Sequence, residues 1–164
     1  MARPAELHEL LSKDHQRLDA LLDEATYSEF RRGLLRHIGI EERLLFPIVR
    51  KRGGATAVVE QLHRDHAALA ALLVPPPTAT GIAQIRALLE EHNPLEEGPE
   101  GIYQHVETLA AGALGDLIAS VEAFPQIPVA PYSDTEILRN STEQLLREAE
   151  EGRESLRALR SGMK

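Results

Sequence analysis

Apolar residues recur at Leu7, Leu11, Leu18, Leu22 and Ala25, in steps of three, four and seven that place them on one face of a first helix. The gap in that stripe at position 15 is filled by a histidine, His15. A second helix is expected over residues 27–51, with Phe30, Leu34, Leu44 and Ile48 on one face and His37 and Glu41 continuing the same stepping until the Gly53-Gly54 pair ends it. Residues 55–74 give a third, with Val59, Leu62, Leu69 and Leu73 in the stripe and His66 in the vacant place; Pro75 to Pro77 stop it. A fourth runs from Thr80 through Ile85, Leu88 and Leu89, then His92 and Glu96, then Tyr103, Val106 and Ala110. Pro94 and Gly98-Pro99 are expected to kink or interrupt it. No strand competes, because VVEQL and LIASV lie inside helical patterns.

Four stripes with short connections predict an all-α, up-down-up-down four-helix bundle over residues 1–124. Beyond Phe124 a proline-spaced connector, residues 125–132, leads to a unit at 133–164. Ser133 or Asp134 is expected to cap a helix over residues 135–161. Its stripe, Leu138, Thr142, Leu145, Ala149, Gly152, Leu156 and Leu159, is weak in the middle, where Thr142, Ala149 and Gly152 bury little, and is expected to pack on the bundle or on a second copy of the chain, a homodimer.

Composition narrows the chemistry. There are 164 residues with no cysteine and no tryptophan, so thiolate metal sites, iron-sulfur clusters and disulfides are excluded. A net charge of -8 disfavours a nucleic-acid surface, and no apolar run is long enough for a membrane span. The start of the chain lacks the pattern of an export signal, so the expected place of action is the cytoplasm. Seven histidines stand out against this inventory.

Their placement is repeated within the chain. DHQRLDALL from Asp14 recurs as DHAALAALL from Asp65, and HIGIEERLLF from His37 is answered by HNPLEEGPEGIY from His92. The offsets are 51 and 55 residues, a difference that one loop insertion absorbs. Each half therefore brings one His on its first helix and a His-x-x-x-Glu on its second to the bundle interior. A buried carboxylate without a partner is expensive, and a cation lets Glu41 and Glu96 stay ionised beside neutral His15, His37, His66 and His92. His63, one turn before His66, is either a fifth imidazole or a boundary residue facing solvent. His8 reads as an end-layer residue, and His105 stands about 20 Å along a helix from His92. Glu42 and Glu97 point about 100° away from the carboxylates they follow, as solvated groups or supports for the ligands.

These elements resemble the hemerythrin-like HHE cation-binding domains. The matching segments are DHQRL at Asp14, HIGIEERLLFP at His37, DHAAL at Asp65 and HNPLEE at His92, spanning about residues 8–106. The resemblance implies a four-helix bundle around two non-haem iron ions, bridged by Glu41 and Glu96, with His15 and His37 on one iron and His66 and His92 on the other. In classical members the third helix carries two ligand histidines four apart; here His63 and His66 are three apart, which leaves the second iron one imidazole short. Zinc and manganese also suit such ligands.

A histidine-rich donor set leaves coordination positions for solvent and an exogenous small ligand. The expected function is therefore binding or sensing of O2, with NO and peroxide as related ligands. The alternatives are a diiron enzyme or iron-handling protein of oxidative-stress defence, and a module that signals through its C-terminal extension. No catalytic nucleophile, phosphate loop or organic-cofactor fingerprint is present.

Overall fold

Steps of three and four residues carry Leu7, Leu11, His15 and Leu18 to the buried side of α1, Leu7–Leu21. The structure, a computed structural model, describes residues 6–162, and these form helices with no strand among them. The expected lack of an export signal at the chain start, and the outer ends of the two expected units, lie outside the described residues. No helix among the described residues is long and apolar enough to cross a membrane.

Ala25 does not join α1. Asp23 is extended at φ -152° and its carboxylate accepts the Ala25 N–H, which starts a short turn at Glu24–Thr26 and leaves Ala25 exposed. The second rod is α2, Tyr27–Ile40, a wide π-type turn, Glu41–Leu45, and α3, Phe46–Arg52. Pro47 explains the wide turn: its ring would meet the carbonyl four residues back in a regular helix, and it has no N–H to give. The inserted residue rotates everything that follows by about a third of a turn. Leu45, Phe46 and Val49 are therefore the fully buried residues, and the expected Leu44 and Ile48 are only half-buried. Gly53 and Gly54 then turn the chain with φ of 82° and 102°, left-handed values that glycine adopts without strain.

The third rod is α4, Thr56–Leu72. The fourth is α5, Ala79–Glu97, whose N-terminal N–H of Gly81 is capped by Thr78, and α6, Ile102–Leu109. Pro94 lies inside α5 without ending it, so of the two interruptions expected only that at Gly98-Pro99 occurs. Gly101 at that break must lack a side chain, since a Cβ there would overlap the Glu96 carbonyl. The two halves thus break their second rod at the same place, just after the inward-facing Glu, by different local means.

α1 lies against α2 and α6, α3 against α4 and α6, and α4 against α5, which is an up-and-down bundle of four rods. The apolar core falls into two clusters. One is built around Leu11, Leu45, Phe46, Leu62 and Tyr103, the other around Leu18, Phe30, Leu34, Leu69 and Ile85. The polar layer that carries chemistry lies between them.

α7, Leu114–Glu122, caps the π-turn side, and Arg36 ties its end down by donating to the carbonyls of Val121 and Phe124. The connector then crosses α2, where Tyr132 stacks near Tyr27 and takes the Arg31 guanidinium 4.3 Å over its ring. The final helix is α8, Glu136–Gly162. Its cap is neither Ser133 nor Asp134: the Thr135 hydroxyl accepts the Leu138 N–H, the Ser133 N–H donates to Val74, and Asp134 pairs with Arg139. α8 packs along α4, giving α4 a second buried face at Val58, Gln61, Asp65, Ala68 and Leu72. Leu159, placed in the α8 stripe by spacing, is 54% exposed, whereas Arg153 is buried.

Candidate metal centre

Between the two apolar clusters, four rods each supply one imidazole. His15 comes from α1, His37 from α2, His66 from α4 and His92 from α5; Glu41 and Glu96 follow one turn after His37 and His92. Both carboxylates have no exposed surface. Glu41 Oε1 stands 3.3 Å from His37 Nε2 and 3.5 Å from His66 Nε2, and Glu96 Oε1 stands 3.3 Å from His15 Nε2 and 3.2 Å from His92 Nε2. Each carboxylate therefore spans the two halves of the repeat. Ligand atoms of Glu41, His66, His92 and Glu96 gather within 4.8 Å of one another, as do those of His15, His37 and Glu96, so two groups share Glu96.

The outer nitrogen of each ring is held by a carboxylate. His15 Nδ1 meets Glu97 at 2.5 Å, His37 Nδ1 meets Asp14 at 2.7 Å, His66 Nδ1 meets Glu42 at 2.8 Å, and His92 Nδ1 meets Asp65 at 3.1 Å. A carboxylate on Nδ1 fixes the ring and leaves Nε2 as a lone-pair donor, the usual arrangement behind metal-ligating histidines. Glu42 and Glu97 thus act as supports across the halves, and Asp14 and Asp65 within them. Asp14 and Asp65 had no role in the expectations from sequence; their recurrence directly before His15 and His66 was the signal that could have found them.

His63 is not brought into the cluster. Its side chain is 54% exposed and its Nδ1 turns to Glu42, 2.8 Å away. The three-residue step puts it about 60° off the face that His66 occupies. His8 reaches the Glu97 carbonyl, and His105 lies against that of Gly53. Tyr103, expected only as part of an apolar stripe, enters the centre: its buried hydroxyl donates to Glu41 Oε2 and lies 3.1 Å from Nε2 of both His15 and His37. Its counterpart Phe46 stacks on His66 at 5.4 Å without any polar group, so the two sides of the centre are chemically unequal.

The donor set fits cations. Glu41 Oε1, both oxygens of Glu96 and Nε2 of His66 are buried without a hydrogen-bond partner, a combination that is costly in an apolar shell unless an ion satisfies it. A cavity of about 410 Å³ borders the cluster at His15, His37, His92 and Glu96. It is lined elsewhere by apolar Leu18, Leu34, Ile38, Leu69 and Leu89, and includes the exposed ion pair of Arg86 with Asp19, 3.0 Å apart.

The fold and this layer define a four-helix bundle with a buried His/Glu group that could hold metal. The chain belongs to the hemerythrin HHE cation-binding domain family, whose profile matches residues 5–123. Comparison with curated proteins and with solved structures gives no match. α8 lies beyond the matched segment.

Without a cation, protons and hydrogen bonds partition the cluster. Burial alone would lower His66, but Glu41 and Glu42 outweigh it and raise the imidazole to about 9. Burial, with the charge of His66 alongside, lowers His92 to about 4 against the pull of Asp65. Burial also pushes the Tyr103 phenol well above 10, helped by the charge of Glu41, so it stays a neutral donor. A group raised on folding stabilises below its unfolded value and loses that contribution as pH rises through the folded one; a lowered imidazole does the opposite on the acid side. The metal-free protein is therefore expected to be most stable near pH 6.5. Its stability should fall by roughly 1 kcal/mol per pH unit toward 9 through His66, and fall again below 6.5 through His92. Melting curves of chelator-treated protein from pH 5 to 9 check this, and a midpoint still rising between pH 7 and 9 contradicts it.

Proposed function

We propose that the protein holds two transition-metal ions, iron in the first instance, and binds or senses O2 or a related small ligand such as NO or peroxide at this centre. The observation that carries the reading is the placement of Glu41 and Glu96, each with one oxygen between imidazole nitrogens of opposite halves. His15 and His37 would hold one ion, His66 and His92 the other, with both carboxylates shared. When bound, such a pair supplies reversible electron donation to a small ligand. Four imidazoles and two shared carboxylates do not fill two six-coordinate ions, which leaves room for that ligand.

The chain's own residues suit this task. The adjoining cavity, with Leu18, Leu34, Ile38, Leu69 and Leu89 on one side and Asp19, Arg86 and Glu90 toward its mouth, gives a small molecule a way to the cluster. Tyr103 offers a hydroxyl on the His15/His37 side, and Phe46 keeps the other side free of donors. Iron-loaded, chemically reduced protein mixed with O2 provides the test. About one O2 per chain taken up and recovered on purging with argon is expected. Sustained peroxide consumption without reversible uptake would favour the oxidative-stress enzyme, and neither behaviour would overturn both readings.

A further inference from the structure

The two Asp-His repeats differ in what neutralises the aspartate. In the first half, Asp14 pairs with Arg17 three residues on, a half-exposed side chain on the same helix. In the second half, the residue three after Asp65 is Ala68, which carries no charge and is fully buried. The missing cation arrives from elsewhere. Arg153 of α8, only 5% exposed, places Nη1 on Asp65 Oδ2 and Nη2 on Asp65 Oδ1, both at 3.1 Å. Gln61 adds a third donor, joining Asp65 Oδ1 at 3.0 Å to the Ala149 carbonyl of α8 at 2.8 Å.

Asp65 consequently has both oxygens occupied, one shared between Arg153 and the ring of His92, the other between Arg153 and Gln61. A two-pronged guanidinium sets the plane of a carboxylate as well as its charge, which a lysine would not. Close approach of α8 is possible because Ala149 and Gly152 face α4; a Cβ on Gly152 would collide with the Gln61 amide. The residues that weaken the apolar stripe of α8 are those that let Arg153 reach its target.

We propose that Arg153, supplied by the C-terminal helix, is a positioning residue of the metal centre, acting through Asp65 to orient His92 toward the ion it shares with His66. The proposal rests on the reading of His92 as a ligand. It makes α8 a working part of the centre, and by linkage metal binding stabilises the docked helix as much as the docked helix favours metal.

The test is a competition titration of the full chain with Co2+ against a chromophoric chelator, on wild type, Arg153→Met, Asp65→Asn and the double variant. Each single variant is expected to bind one of its two ions about 10- to 100-fold more weakly, the range for lost support of a ligating histidine, with the other ion unchanged. The double variant should lose no more than Asp65→Asn alone, because the arginine acts only through that carboxylate. Leu156→Ala, a buried α8 position with no polar link to Asp65, should lower the melting temperature and leave both affinities in place. Wild-type affinity at both ions in Arg153→Met, or losses that multiply in the double variant, would overturn the proposal. Where the methionine variant does not fold, Arg153→Lys keeps the charge without the fork: a weaker loss at the same ion supports it, and undiminished binding refutes it. Failure of the wild type to bind any metal is a different result, and refutes the ligand reading itself.

Discussion

Glu96→Gln is expected to strip the centre of metal while leaving the metal-free fold at least as stable as the wild type. Glu96 belongs to both groups of candidate ligands, so its loss weakens each ion at once. The amide is nearly isosteric, so the packing of this fully buried position is retained, but it brings no charge to hold a cation. An affinity loss of at least about 100-fold, close to 3 kcal/mol per ion, is the expected result. The stability expectation follows from the same facts. Both oxygens of Glu96 are buried with no hydrogen-bond partner, which without a cation is a liability of several kcal/mol that a neutral amide relieves in part. Chelator competition and thermal melts on one variant separate the two effects. A Glu96→Gln protein that binds metal like the wild type, or that is much less stable in its metal-free form, would show that the carboxylate serves packing.

Metal loading should raise the melting temperature by about 10 °C for each ion bound at a thousandfold excess over its dissociation constant. Such an excess stabilises the fold by about 4 kcal/mol, and a chain of this size gains roughly 2–4 °C per kcal/mol. The gain has a definite pH dependence. Metal competes with the proton that Glu41 and Glu42 hold on His66, so loading releases protons at neutral pH and strengthens toward pH 9. As pH falls, the proton on His66 becomes harder to displace, and toward pH 4 His92 takes one as well, so the gain shrinks. Differential scanning calorimetry with and without chelator reads it directly; a shift under about 2 °C at saturation would mean that the buried carboxylates and imidazoles are satisfied without an ion.

Much of the bundle is legible in the sequence because helical period and histidine placement agree. His15, His37, His66 and His92 occupy gaps in apolar stripes, and a gap filled identically in both halves is hard to attribute to packing. Regular spacing misses Glu41–Leu45, because a constant period cannot register a turn that takes in one residue more; Pro47 was the local sign. Tyr103 was legible as buried but not as polar-facing, since an aromatic in a stripe carries no mark of where its hydroxyl ends. The proline signal misled at Pro94, where α5 tolerates the ring, and held at Gly98-Pro99, after which Gly101 lets the chain clear the Glu96 carbonyl. Arg153 was out of reach for another reason. It lies 88 residues from Asp65, and nothing local distinguishes it from the exposed arginines beside it in α8. His63 shows the limit of sequence nearness: one turn from His66 brought it to Glu42 and solvent, not to the centre.

If the repeat builds one centre for two ions, anaerobic titration of the metal-free chain with Fe2+, followed by removal of excess and elemental analysis, should find close to two iron ions retained per chain in the wild type and a clear loss in Glu96→Gln. Fewer than about one ion per chain, unchanged by that substitution, would rule such a centre out.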